Sequence, residues 1–164
     1  MTFQRSIHTQ NKYRVFLNAG IILTMRAKIL RQIYAWLPVI IWAGLIFRFS
    51  SGTVPLASVV YWQDFAVKKS GHVILFGVLA VLIYRGLRME KINKKRAAIL
   101  AIILATLYGV TDEYHQMFTS GRTSRLRDVF IDGVGSTLII LLAYYLPPML
   151  SKKMYALAEK LDLT

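Results

Sequence analysis

Residues 72–116 read HVILFGVLAVLIYRGLRMEKINKKRAAILAIILATLYGVTDEYHQ, two apolar runs on either side of a short basic connection. The first run extends from about His72 to Leu87 and the second from about Ala97 to Thr111. No charge interrupts Val73 to Tyr84 or Ala97 to Val110. A helix crosses the hydrocarbon core of a bilayer with about 20 apolar residues. Both runs reach that length only if the polar residues at their ends continue the helices. The connection carries Arg85, Arg88, Lys91, Lys94, Lys95 and Arg96, so the stretch reads as two antiparallel membrane helices joined by a basic turn.

Two more runs of the same kind flank this pair, one from about Ile33 to Phe49 and one from about Val129 to Leu146. Pro147 and Pro148 end the last, because neither can donate to a helical ladder. The expected fold is therefore an all-α integral membrane protein, a four-transmembrane-helix bundle. Composition agrees: the chain has 164 residues, 55% of them hydrophobic, with a mean hydropathy of +0.47. A net charge of +13 raises nucleic acid as a partner. The basic residues fall in blocks between apolar runs, which is a membrane pattern and excludes that reading. With no cysteine, disulfides and thiolate metal sites are also excluded.

The blocks set an orientation. Residues 1–31 carry Arg5, Lys12, Arg14, Arg26, Lys28 and Arg31, residues 85–96 carry the six named above, and the tail carries Lys152, Lys153 and Lys160. Against these fifteen stand six on the other side: Arg48, Lys68, Lys69, Arg122, Arg125 and Arg127. Cytoplasmic loops hold the Lys/Arg excess, so both termini are expected to be cytoplasmic. Residues 1–32 form a basic cytoplasmic segment in this reading, 33–150 the membrane domain and 151–164 a cytoplasmic tail. The apolar run at Val15–Thr24 is broken by Asn18 and Gly20 and lacks the small-residue cleavage site of a signal peptide. Two starts fit the pattern, Met1 and Met25; in the second, residues 1–24 are an extended start ahead of Met25, whose Met-Arg-Ala-Lys suits the opening of a membrane protein. Tyr61, Trp62 and Phe65 in the Ser50–Gly71 connection suggest a short interfacial helix.

With that orientation, the polar motifs meet on the outer face, although neither the histidines nor the acids entered the count. Lys69 and His72 open the second helix, Asp112, Glu113 and Gln116 close the third, and Asp128 and Asp132 open the fourth. Tyr108, Asp112, His115 and Gln116 stack at helical spacings of three and four, and Asp128 and Asp132 share one helix face. Arg122, Ser124 and Arg125 lie between the two helix ends. Ionisable groups beside a bilayer are costly unless they serve a purpose, so the cluster marks a candidate site. The arginines suit an anion, the carboxylates suit a cation, and His72 suits acid–base chemistry near neutral pH. The same acids and bases can also neutralise one another and merely fix helix three against helix four.

Three specific chemistries fail on the letters. Ser70-Gly71-His72 is shared with histidine-nucleophile membrane phosphatases, but no histidine follows Ser124-Arg125. The His-Glu-x-x-His pattern of zinc proteases is absent, as is a phosphate-cradling glycine loop. No metal and no cofactor is expected.

The pattern resembles the VanZ-like family of small bacterial membrane proteins. The resemblance rests on Phe49-Ser50-Ser51, on Lys69 with His72, and chiefly on the order Asp112-Glu113, Gln116, Gly121-Arg122, Ser124, Asp128, Asp132, Gly135. It covers about residues 33–146, with residues 1–24 outside it. Position 132 is often Asn in the family, which separates this chain's Asp132 from the common pattern. The family takes its name from a protein linked to resistance to teicoplanin. The resemblance implies a four-helix membrane fold in the bacterial inner membrane and a role in the cell envelope, and it supplies no reaction.

The expected function is binding or handling of an anionic lipid or lipid-linked envelope precursor, with an effect on glycopeptide susceptibility. Lys69, Asp112, Gln116, Arg122, Ser124, Arg125 and Asp132 are the candidate binding residues. An alternative is an intramembrane acid–base enzyme using His72 with Glu113 or Asp128. A non-catalytic assembly role with a membrane-protein partner is the third.

Overall fold

Four helices make up the computed structural model: α1 (Thr2–Ser50), α2 (Tyr61–Met89), α3 (Lys94–Gln116) and α4 (Leu126–Tyr145). It describes residues 2–52, 61–119, 126–145, 156–157 and 159–163. Among the described residues there is no strand, and all four helices contain a stretch long and apolar enough to cross a membrane. Those stretches are Ile22–Ser50, Lys69–Met89, Lys94–Gln116 and Arg127–Tyr145.

The chain divides into two compact units, Met1–Tyr34 and Ala35–Thr164. In the first, the backbone is helical from Thr2, where the sequence suggested a basic segment with no spanning run. Pro and Gly are absent from this stretch apart from Gly20, and one internal glycine costs a helix only about 1 kcal/mol. The α1 stretch Ile22–Ser50, which takes in the expected run from Ile33 to Phe49, is long and apolar enough to cross a membrane. Pro38 lies inside α1, which membrane-type helices tolerate where neighbouring groups satisfy the freed carbonyl.

The second unit contains the core. Ile46 of α1, Phe76, Leu79, Ala80, Ile83 and Tyr84 of α2, and Ile140 of α4 are buried together with the alanines of α3. That α3 face reads Ala97, Ala98, Ala101, Ala105, Gly109 and then Asp112, Glu113 and Gln116, spaced by three and four. Small residues let helix backbones approach closely, so this stripe is the seam of the bundle. The opposite side of α3 is as apolar as the seam. Ile99, Leu100, Ile103, Leu104 and Leu107 are between 39% and 55% exposed, a surface suited to hydrocarbon rather than water.

Both helix ends at the candidate site run further than apolar periodicity indicated. The α2 helix begins at Tyr61, so Tyr61 and Trp62 belong to its first turns and do not form a separate interfacial helix. The α3 helix continues through Asp112 to Gln116, as the length of the apolar run required. At the other end, α2 closes in a Schellman motif around Lys91, whose φ is 62°. Lys91 N–H donates to Arg88 O at 2.9 Å and Ile92 N–H to Leu87 O at 3.2 Å. Asn93 then caps α3, its side chain accepting from Arg96 N–H at 2.9 Å. Tyr84 is fully buried near this end and donates its hydroxyl proton to Leu163 O at 3.3 Å.

Candidate functional site

Four helix ends converge on the polar site: the C-termini of α1 and α3 and the N-terminal halves of α2 and α4. Two small hydrogen-bonded groups form there, one on each helix pair. On α1 and α3, the Ser50 hydroxyl donates to Asp112 Oδ2 at 2.8 Å. Gln116, one turn beyond Asp112, donates its amide to the same oxygen at 2.9 Å and lies 3.5 Å from Ser50 Oγ. Ser50, Asp112 and Gln116 are all at most 6% exposed.

The second group joins α2 to α4. Lys69 Nζ lies 2.5 Å from Asp128 Oδ1, and one turn deeper His72 Nδ1 lies 3.1 Å from Asp132 Oδ1. The spacing 69/72 on α2 matches 128/132 on α4, so the two pairs stack along the helix axes. Asp132 is completely buried, whereas Lys69 keeps 17% and His72 19% of its side-chain surface. Arg127 extends the rim, with Nε 3.8 Å from Asp128 Oδ1 and about half its side chain exposed. His72 also stacks on Phe76, which packs beneath it at 6.1 Å between ring centroids.

Gly109 brings the groups together. A Cβ there would sit 3.3 Å from Asp132 Oδ2 and 3.5 Å from the Phe76 ring, so its absence lets α4 press its carboxylate against α3. Asp112 and Glu113 follow on that same buried face, one turn along. Asp112 Oδ1 and Asp132 Oδ2 are buried and accept no hydrogen bond from a described residue. An unmet buried carboxylate oxygen is costly, which fits a site built for chemistry or binding better than one built for stability alone. Among the described residues, no three His, Asp or Glu side chains are placed to hold a metal ion.

The candidates named from the sequence divide accordingly. Lys69, His72, Asp112, Gln116, Asp128 and Asp132 fall into the two groups, and Glu113 is buried beside them at 4% exposure. His72 was expected to work with Glu113 or Asp128, and its hydrogen-bond partner is Asp132. Tyr108 was stacked with Asp112 on spacing alone, and its hydroxyl instead donates to Ala43 O on α1 at 2.7 Å. His115 turns to the end of α1, 3.1 Å from Ser51 Oγ and against the Phe47 ring. Ser51 donates its own proton to Phe47 O at 2.7 Å, so His115 Nε2 is the donor to Ser51. Arg122, Ser124 and Arg125 lie outside the described residues.

Two residues were missed as site members. Ser50 was read only as part of a short motif after the first apolar run, yet it is the α1 donor to Asp112. Ser136, four residues after Asp132 on the same face of α4, is fully buried and donates to Phe76 O at 3.3 Å. The polar stripe 128/132/136 was the signal for it.

No curated protein and no solved structure matches the chain. The VanZ/LLP1 family profile matches residues 5–147. The match thus begins well before residue 33 and takes in most of the segment that the motifs alone had left outside. With the acids, the histidine and the lysine of the family pattern gathered at one end of a four-helix fold, and the profile spanning nearly the whole chain, the protein belongs to the VanZ/LLP1 family.

Proposed function

We propose that this is a multi-pass protein of the bacterial inner membrane, with both termini cytoplasmic. Its polar end faces outward and binds an anionic lipid or a lipid-linked cell-envelope precursor. The observation that carries this reading is the Lys69–Asp128 pair at the rim, set above buried carboxylates with Arg127 beside it. An ammonium paired with a carboxylate at the mouth of a site can exchange that partner for a phosphate. Ser50 and Gln116 supply a hydroxyl and an amide for the rest of a headgroup, already oriented by Asp112. Arg122 and Arg125 add two more cations close by in sequence. An effect on teicoplanin susceptibility is the expected phenotype.

The test is lipid retention by the purified full chain, read by native mass spectrometry. Phosphatidylglycerol and a polyprenyl phosphate are expected to stay bound in preference to phosphatidylcholine. Lys69→Gln is expected to remove that preference. Equal retention of all three lipids by the unaltered protein would overturn the reading.

The His72–Asp132 contact favours a second reading, an acid–base enzyme acting on the same lipid. A carboxylate on Nδ1 fixes the imidazole's orientation and tautomer and leaves Nε2 as the nitrogen that exchanges a proton. Turnover of a retained lipid that His72→Gln abolishes without changing retention would establish it.

A further inference from the structure

The outer flank of α3 and α4 carries a groove of about 500 Å³, lined by Ile102 and Thr106 on α3 and by Phe130, Gly133, Thr137 and Leu138 on α4. It lies away from the buried carboxylates: Asp128, Asp132 and Ser136 occupy the side of α4 turned toward the core, and the groove residues occupy the other side. It is therefore distinct from the polar site, and a different feature of the helix accounts for it.

Three observations describe what would fit. The groove is lined mainly by apolar groups, and the Thr137 hydroxyl is already spent on Gly133 O, to which it donates at 2.8 Å. Gly133 leaves the middle open, where a Cβ would meet Thr106 Oγ1 at 3.3 Å. Phe130, 72% exposed, and Leu138, 52% exposed, wall it on the outside.

The third observation is charge. Arg127 precedes Phe130, Val134 and Leu138 by three, seven and eleven residues, so it crowns the same stripe of α4. From Arg127 to Leu138 the helix rises about 16 Å, at about 1.5 Å per residue. A cation at the mouth and an apolar channel below it together complement one kind of molecule, an amphiphile with an anionic head and a hydrocarbon chain.

We infer that the α3–α4 groove holds one chain of an anionic membrane lipid, with the headgroup at Arg127. This rests on the reading that the polar end handles such a lipid. It adds where the chain lies and the side from which the molecule reaches the site. Because Arg127 Nε is 3.8 Å from Asp128 Oδ1, a headgroup on Arg127 is one side chain away from the Lys69–Asp128 pair. The groove thus delivers the headgroup laterally, from the bilayer rather than from water.

The experiment uses the full chain in nanodiscs of phosphatidylcholine doped with phosphatidylglycerol carrying a photoactivatable diazirine in one acyl chain. Crosslinks are mapped by peptide mass spectrometry. The expected result is labelling concentrated on residues 102–106 and 129–138, competed by unlabelled phosphatidylglycerol and not by phosphatidylcholine. Thr137→Phe fills the groove and is expected to reduce this labelling several-fold, with labelling elsewhere unchanged. Arg127→Gln is expected to abolish the preference, so that unlabelled phosphatidylcholine competes for the groove as well as phosphatidylglycerol does.

Labelling spread evenly over all four helices and insensitive to Thr137→Phe means annular lipid only and overturns the proposal. Protein–protein crosslinks through residues 129–138 would assign the groove to a second copy and overturn it as well. The two readings fail separately: loss of lipid preference in Lys69→Gln with no groove labelling keeps the polar-site function and removes the groove. A circular-dichroism melt of Thr137→Phe shows whether the variant is folded. If it is not, Leu138→Trp, at the exposed wall, is used to narrow the groove, and the same labelling loss is required.

Discussion

Asp112 Oδ2 accepts from Ser50 on α1 and from Gln116 on its own helix, so one buried carboxylate oxygen ties two helix ends together. A hydrogen bond to a charged group contributes about 1.5–3 kcal/mol, and Gln116 still donates to that oxygen when Ser50 is removed. Ser50→Ala is therefore expected to lower stability by about 1–3 kcal/mol, seen as a lower melting temperature in detergent. Ser50→Thr keeps the donor and is expected to recover part of the loss. An unchanged melting temperature in Ser50→Ala would mean that the contact contributes nothing to the fold. At this scale the sequence showed which residues are chemically unusual but not how they pair. Asp112 and Gln116 were legible because they are four apart on one helix. His72 and Asp132 are 60 residues apart, and only packing of α2 on α4 brings them to 3.1 Å.

The α2–α4 contact that makes this pair depends on missing side chains. A Cβ on Gly135 would lie 2.8 Å from Val73 Cα and 3.0 Å from Val73 O, both backbone atoms that cannot turn aside. Gly135→Ala is expected to push α4 from α2 and cost about 1–3 kcal/mol, the usual scale of overpacking. Gly133→Ala meets only the Thr106 side chain, at 3.3 Å, and is expected to be near neutral. Comparing the two melting temperatures separates close packing from simple helix propensity, which would raise both. The periodicity of α3 predicted a helix, and its alanine stripe became recognisable as a seam only once its neighbours were placed. Element ends were the least legible part. Nothing in the apolar pattern marks Tyr61 as the start of α2, because its first turns carry Gln63, Asp64 and Lys68 among the aromatics.

Across the whole molecule, the basic connection and the polar site occupy opposite ends of the α2–α3 pair, which is the arrangement that an inside-positive orientation requires. The absence of native cysteine makes that orientation measurable with single replacements. Phe118→Cys, at a position 72% exposed beside the polar end, is expected to react with an impermeant thiol reagent in intact cells. Lys95→Cys, on the basic connection, is expected to react only after the cytoplasm is opened. The reverse pattern would invert the proposed topology and remove the outer-face reading. The sequence by itself determined the number of apolar helices, the clustering of chemistry-bearing residues between and beside them, and the family resemblance. These follow from composition and spacing along the chain, because desolvating a charge next to a long apolar run is costly wherever the run packs. Tertiary structure alone decided that Asp132, not Glu113 or Asp128, partners His72, that Ser50 belongs to the site, and that α3 and α4 leave a groove on their outer flank. Each of those depends on how one helix is rotated against another, and between α2, α3 and α4 Gly109, Gly133 and Gly135 mark where the helices approach closely.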